Sequence, residues 1–214
     1  MQTKSTDQPV NTHRIGHTQL IVGLLLMLTL LLSACGQPYA YNGTALEPPK
    51  ELYDMTGTNL DGTTFRLSDH RGRVLLVFFG YTFCPDVCPT TLAEMVAITN
   101  MLGDKAADVD VVFVSVDPER DTVERLAQYV PAFHPDFYGL YIPAGPELET
   151  AKLTFGAWAE KNELSAAESS AGYLVDHTAW VYVVNQDGEL HEIFPFESTA
   201  EEMVPDIEYI LKNG

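Results

Sequence analysis

Sulfur is scarce in this 214-residue chain, which has three cysteines, Cys35, Cys84 and Cys88. Cys35 sits in what looks like a targeting signal, so only the pair at 84 and 88 is left for sulfur chemistry. Cations are scarce as well. Twelve Lys and Arg face 30 Asp and Glu, giving a formal net charge of −18, and so acidic a surface repels phosphate backbones and argues against nucleic acid as a partner. No internal repeat is present, which excludes a solenoid. The longest apolar run, Leu20 to Leu32, is too short to cross a hydrocarbon layer of about 30 Å comfortably.

That run has the length of a signal-peptide core, preceded by a polar segment with Lys4 and Arg14 and followed by Leu32-Ser33-Ala34-Cys35-Gly36. Small residues leading into a cysteine resemble the bacterial lipobox, in which the thiol is lipidated and becomes the mature N-terminus. The expectation is a signal peptide over 1–34, a lipidated Cys35 opening a tether over 35–51, and one domain over 52–214. The alternative is an uncleaved signal anchor. Both put the folded part on the extracytoplasmic face of a bacterial cell membrane. Removing residues 1–34 takes away two cations and one anion, leaving −19. The proposed tether carries three prolines and no periodicity, as flexible stalks do.

Within the domain, Asp61-Gly62 between alternating residues signals an N-terminal hairpin. Arg73 to Phe79 and Val109 to Val116 are continuous apolar runs that fit strands buried on both faces. A helix follows the first, with Leu92, Met95, Val96 and Thr99 at helical spacing up to Gly103. A second follows Asp121-Thr122-Val123-Glu124, which has capping-box spacing. A short strand over 137–142, a helix over 147–158, a polar loop over 165–172, a strand over 179–184, a hairpin partner over 189–194 and a helix opened by Ser198 and Thr199 complete the order, with Pro205 expected to kink or reset that last helix. The pattern alone supports an α/β sandwich, a central mixed sheet flanked by helices with the hairpin as an extension. Thiols at the first strand-to-helix junction, where ligands bind in open α/β sheets, point to the thioredoxin-like version.

The site is Phe83-Cys84-Pro85-Asp86-Val87-Cys88-Pro89. Cysteines four apart on a helix share a face, so their sulfurs can meet one ion or each other. Pro85 suits the first helical position after Cys84, and Pro89 the same position after Cys88. Both cannot hold in one helix, so an irregular first turn is expected, with the thiols at the positive end of the helix dipole. A purely structural disulfide is one reading of an exported pair. Against it, so short a loop constrains the unfolded chain little, and a bridge at a helix start is more plausibly reactive. Downstream, Asp176-His177-Thr178 precedes a strand at the place where thioredoxins set a cis-proline against their cysteines. Two thiolates and an imidazole are a ligand set suited to copper. Structural zinc wants four ligands, and no fourth Cys or His lies at fitting spacing.

Three segments, 80–89 around the cysteines, Val114 to Thr122 with Asp117-Pro118-Glu119-Arg120-Asp121, and Val175 to Thr178, resemble the Sco/SenC family of copper-handling, thioredoxin-like proteins. The resemblance spans most of 52–212. It implies that Cys84, Cys88 and His177 bind copper as Cu(I) or Cu(II), and that the chain assists assembly of the binuclear copper centre of cytochrome c oxidase subunit II. One departure is Phe83, where relatives often carry histidine; tuning of the site is expected. Copper binding needs the reduced dithiol, so a thioredoxin-like reductant is an implied partner, beside the membrane itself through the lipid anchor. The competing function is a thiol-disulfide reductase that uses Cys84 and Cys88 as a redox-active pair without metal. Bland readings are expected elsewhere. Asp86 suits a helix first turn, Asp121 a helix cap, Asp117 a place in the strand-to-helix loop or an outer-shell or docking role, and Asp176 is a candidate to orient the His177 ring. His70, His134 and His191 should be exposed. Tyr81 and Phe83 should pack about the sulfurs, and Trp158 and Trp180 should be core or loop-packing aromatics rather than a cofactor box.

Overall fold

A computed structural model describes residues 39–162 and 172–213. The apolar run at 20–32, Cys35 and nearly all of the polar loop at 165–172 lie outside the described residues. Among those described, no helix is long and apolar enough to cross a membrane.

The elements run β1 (Thr44–Glu51), β2 (Thr56–Thr58), β3 (Thr64–Arg66), β4 (Val74–Gly80), α1 (Val87–Leu102), β5 (Val109–Ser115), α2 (Val123–Tyr129), β6 (Tyr138–Leu140), α3 (Pro146–Phe155), β7 (Ala159–Asn162), β8 (Leu174–His177), β9 (Val181–Val184), β10 (Glu189–Phe194) and α4 (Ala200–Asn213). Six strands form one mixed sheet in the order β1-β10-β9-β4-β5-β6. β4, β5 and β6 are parallel, and β9, β10 and β1 continue antiparallel from the other side of β4. The expected N-terminal hairpin is the separate pair β2 and β3.

β4 sits in the middle because all seven of its residues are buried, as a strand covered on both faces requires. The pleat sends Phe79 to one face, where its ring meets Phe155 of α3 at 5.4 Å. Phe78 and Gly80 turn to the other, beside Cys88 of α1. α1 buries Cys88, Leu92, Met95, Ile98 and Leu102 along one stripe and packs on α4. Gly156, in the left-handed region at φ 73°, ends α3 three residues before the helix was expected to stop.

Three expectations are corrected. Residues 44–51, assigned to the tether, form edge strand β1, whose pairing with β10 shifts register between Ala45 and Lys50. Pro48 and Pro49 fall in that gap, and an edge strand tolerates residues that cannot donate to a ladder. The ordered part therefore begins before Leu52. Second, α2 is capped by Thr122, whose hydroxyl accepts the Arg125 N–H at 3.3 Å; Asp121 is fully buried and does something else. Third, Pro205 neither resets nor ends α4, which runs unbroken from Ala200. Thr199 opens it with one half of a capping box, its N–H donating to the Glu202 carboxylate at 2.9 Å.

Candidate metal centre

β4 delivers the chain to the cysteine segment at its carboxyl end, and Gly80 fixes how close the two come. A Cβ there would lie 2.9 Å from Cys88 Sγ and 2.8 Å from the Phe113 ring, closer than real contacts allow. The missing side chain makes room for the sulfur. Next, Tyr81 is buried, and its ring meets the His177 ring edge-on at 5.7 Å and 89°. Burial pushes its phenol up to about 12.

α1 starts at Val87 after Asp86, so neither cysteine is the cap residue. Pro89 takes the third helical position, where the absent N–H would have had no partner in the helix. Both prolines are thus accommodated, and the two thiols do not share a helical face. Cys88 lies inside the first turn and Cys84 in the loop before it. That loop bends back so that Cys84 Sγ accepts the Cys88 backbone N–H at 3.4 Å. The Asp86 side chain makes no capping bond.

The pair shares its proton unequally. Hydrogen bonding from the Cys88 thiol holds Cys84 as thiolate, pushed down to about 3 against the opposing effect of burial, with His177 and the backbone N–H groups of Asp86 and Cys88 adding to it. Burial, followed by the neighbouring Cys84, pushes the Cys88 thiol up. A low-pKa thiolate beside a protonated partner is the arrangement of reactive cysteine pairs.

His177 ends β8, which pairs with β7 in a two-stranded ribbon. Its Nδ1 lies 3.2 Å from the Thr178 carbonyl oxygen, which leaves Nε2 facing the sulfurs. Nε2 is 3.4 Å from Cys88 Sγ. The donor atoms of Cys84, Cys88 and His177 all fall within 4.8 Å of one another. Sequence had proposed these three together, and they converge. Asp176 does not orient the ring; its carboxylate accepts from Asn162 Nδ2 at 2.9 Å, and the backbone carbonyl of Thr178 takes the role instead.

The other expectations divide. Asp121 accepts from the Thr82 backbone N–H at 3.0 Å, the Thr82 hydroxyl at 2.6 Å and the Ser115 hydroxyl at 2.8 Å, so it pins the start of the cysteine segment to β5. Asp117 is buried and bound by Arg120 and the Tyr173 hydroxyl. His70 is not exposed. It pairs with Asp110 at 2.7 Å and stacks on Phe65. Phe83 lies against the Arg120 and Arg125 guanidinium groups. Trp158 and Trp180 are not interior; they are 52% and 40% exposed, and Trp158 lines a concavity of about 290 Å³ with Tyr81, Cys84, Asp86 and His177. Tyr81 lies at the site as expected, whereas Gly80, Arg120 and Tyr173 were not singled out as site residues by sequence reasoning. The glycine directly before Tyr81 and the cysteine segment was the available signal for the first of these.

The SCO1/SenC family model matches residues 45–212. An SCO2-like protein of Rickettsia prowazekii is 31% identical over 156 residues, 73% of this chain and 72% of that one. The solution structure of apo Sco1 from Thermus thermophilus is 38% identical with a TM-score of 0.69, covering 81% of this chain and 99% of that one. The structure of Bradyrhizobium japonicum ScoI with copper bound is 34% identical with a TM-score of 0.63, covering 74% and 98%. The fold is thus the thioredoxin-like sandwich, and the chain belongs to the SCO1/SenC family.

Proposed function

We propose that this chain carries copper outside the cytoplasmic membrane, on Cys84, Cys88 and His177, and assists assembly of the binuclear copper centre of cytochrome c oxidase subunit II. The convergence of two sulfurs and one ring nitrogen within 4.8 Å carries the reading. Cu(I) is soft and accepts low coordination, so this set suffices; Cu(II) would take a further oxygen ligand. Among the described residues no fourth Cys or His joins the cluster, which disfavours structural zinc. Copper here is cargo, held by thiolate and neutral imidazole, and a thioredoxin-like reductant would keep the pair open. Residues 1–34 would be removed as a signal peptide, with Cys35 lipidated and the chain held at the extracytoplasmic face of the membrane.

One observation favours a second reading: the half-buried Cys84 sulfur accepts the Cys88 backbone N–H at 3.4 Å, a contact that favours its thiolate form. It could attack a disulfide in the target, forming a mixed disulfide and releasing one target sulfur as thiolate. Cys88 would then attack the Cys84 sulfur, its proton going to the second departing sulfur, leaving an oxidised Cys84–Cys88 pair and a reduced target dithiol. Oxidase assembly in cells lacking the wild-type chain separates the two. Under copper carriage, His177→Ala fails to restore the oxidase, as does Cys84→Ser. Restoration by His177→Ala but not by Cys84→Ser would assign the pair to reduction alone.

A further inference from the structure

We propose that Arg120 is a positioning residue for the metal ligands, clasping the ribbon that carries His177 to the loop that carries Cys84. This rests on reading Cys84, Cys88 and His177 as one copper site. Arg120 stands between β5 and α2. Its Nε donates to Asp117 Oδ2 at 2.5 Å and its Nη1 to the Tyr173 carbonyl oxygen at 2.8 Å. The Tyr173 hydroxyl closes the ring by donating to Asp117 Oδ1 at 2.7 Å. The guanidinium carbon lies 3.5 Å from the centre of the Tyr173 ring, 4.7 Å from that of Phe83 and 5.7 Å from that of Tyr81. One side chain therefore meets both halves of the site: Tyr81 and Phe83 lead into Cys84, and Tyr173 leads into β8, four residues before His177.

The ribbon needs such an anchor. Among the described residues β7 and β8 pair only with each other, and an isolated two-stranded ribbon is marginal in water. Glu119 holds the other strand through Lys161, whose ammonium also lies 4.8 Å from the Tyr173 ring centre. Asp121, next in the chain, binds Thr82 on the cysteine side. The Asp117 to Asp121 stretch, whose two acids were expected to serve as a helix cap and an outer-shell or docking group, thus bridges cysteine loop and histidine ribbon. A planar guanidinium can serve a carboxylate, a carbonyl and a ring face at once; an ammonium cannot.

The test compares the reduced full-length chain in detergent with Arg120→Lys, which keeps a cation beside buried Asp117, with Tyr173→Leu, which keeps the Arg120–Asp117 pair, and with the double variant. Amide hydrogen exchange over 174–177 is measured without metal, and Cu(I) and Cu(II) affinities are measured by competition. Faster ribbon exchange is expected in both single variants, with Cu(II) affinity down about tenfold or more, as for other supports of a ligand. Cu(I) affinity should change less, because both thiolates come from one segment. The double variant should be little worse than either single one, since the two residues act as a unit. Unchanged exchange and Cu(II) affinity in both single variants would overturn the proposal, as would equal losses of both affinities tracking global stability. A wild-type chain that binds no copper sinks the metal reading, and the exchange comparison still decides the clasp.

Discussion

His177 Nε2 lies 3.4 Å from Cys88 Sγ, although 89 residues separate the two in the chain. The imidazole should matter most for the harder copper ion, because Cu(II) prefers nitrogen and oxygen ligands where Cu(I) is content with thiolates. His177→Ala is expected to weaken Cu(II) binding strongly while leaving disulfide exchange at Cys84 and Cys88 nearly intact. Competition titration and exchange kinetics on the same preparation measure both. Cu(II) affinity equal to wild type would remove the ring from the ligand set.

Reactivity at Cys84 should depend on Cys88. The Cys88 hydrogen bond is the largest cause holding the Cys84 sulfur near 3, so Cys88→Ala should raise that pKa well toward the ordinary thiol range. Alkylation of Cys84 should be nearly independent of pH above about 4 in the reduced wild type and rise with pH in the variant. Identical profiles would show that backbone and imidazole suffice.

Gly80→Ala tests the space behind Cys88. The added methyl would meet the sulfur at 2.9 Å and the Phe78 and Phe113 rings at 2.9 and 2.8 Å. Overpacking of this kind destabilises by about 1–3 kcal/mol. Urea unfolding should show that loss, with weaker copper binding, because the sulfur must move. Wild-type stability and affinity would mean that the strand end yields easily.

A buried acid pair far from the thiols gives a pH signature. Glu192 of β10 and Asp206 of α4 are both fully buried, and the Gly43 N–H reaches toward both carboxylates, at 2.9 and 3.3 Å. Burial, then the Asp206 hydrogen bond and charge, raise Glu192 from 4.5 to about 8. The folded state therefore holds a proton that the unfolded state releases, so this contribution is complete below about pH 4.5 and is lost progressively as pH rises to about 8. His191, lowered by burial, works in the opposite direction, so the comparison with Glu192→Gln isolates the acid. Stability relative to that variant should fall across the window; a flat difference would show Glu192 ionised in the fold.

Much of this was legible in the sequence where burial alone decides. β4 and β5 carry nearly unbroken apolar runs, and glycine and the thiols mark where the first one stops. β1 was not legible, because Pro48 and Pro49 oppose a strand everywhere except at an edge. β7 was hidden too, since Ala159-Glu160-Lys161-Asn162 has no apolar alternation and owes its conformation to β8. Asp121 and Thr122 are equally competent caps, and the choice was made by Thr82, 39 residues from Asp121. The ligands were legible as residue types, yet their meeting depends on a bent loop and a small ribbon, set by Gly80, Arg120 and Tyr173 through contacts no local pattern records.

X-ray absorption at the copper edge of the loaded chain tests most directly whether the three donors meet on one ion. Two sulfur neighbours and one imidazole nitrogen are expected in wild type, with the nitrogen signal lost in His177→Ala and the sulfurs kept. A spectrum without sulfur, or one unchanged by removing the imidazole, would contradict the shared site.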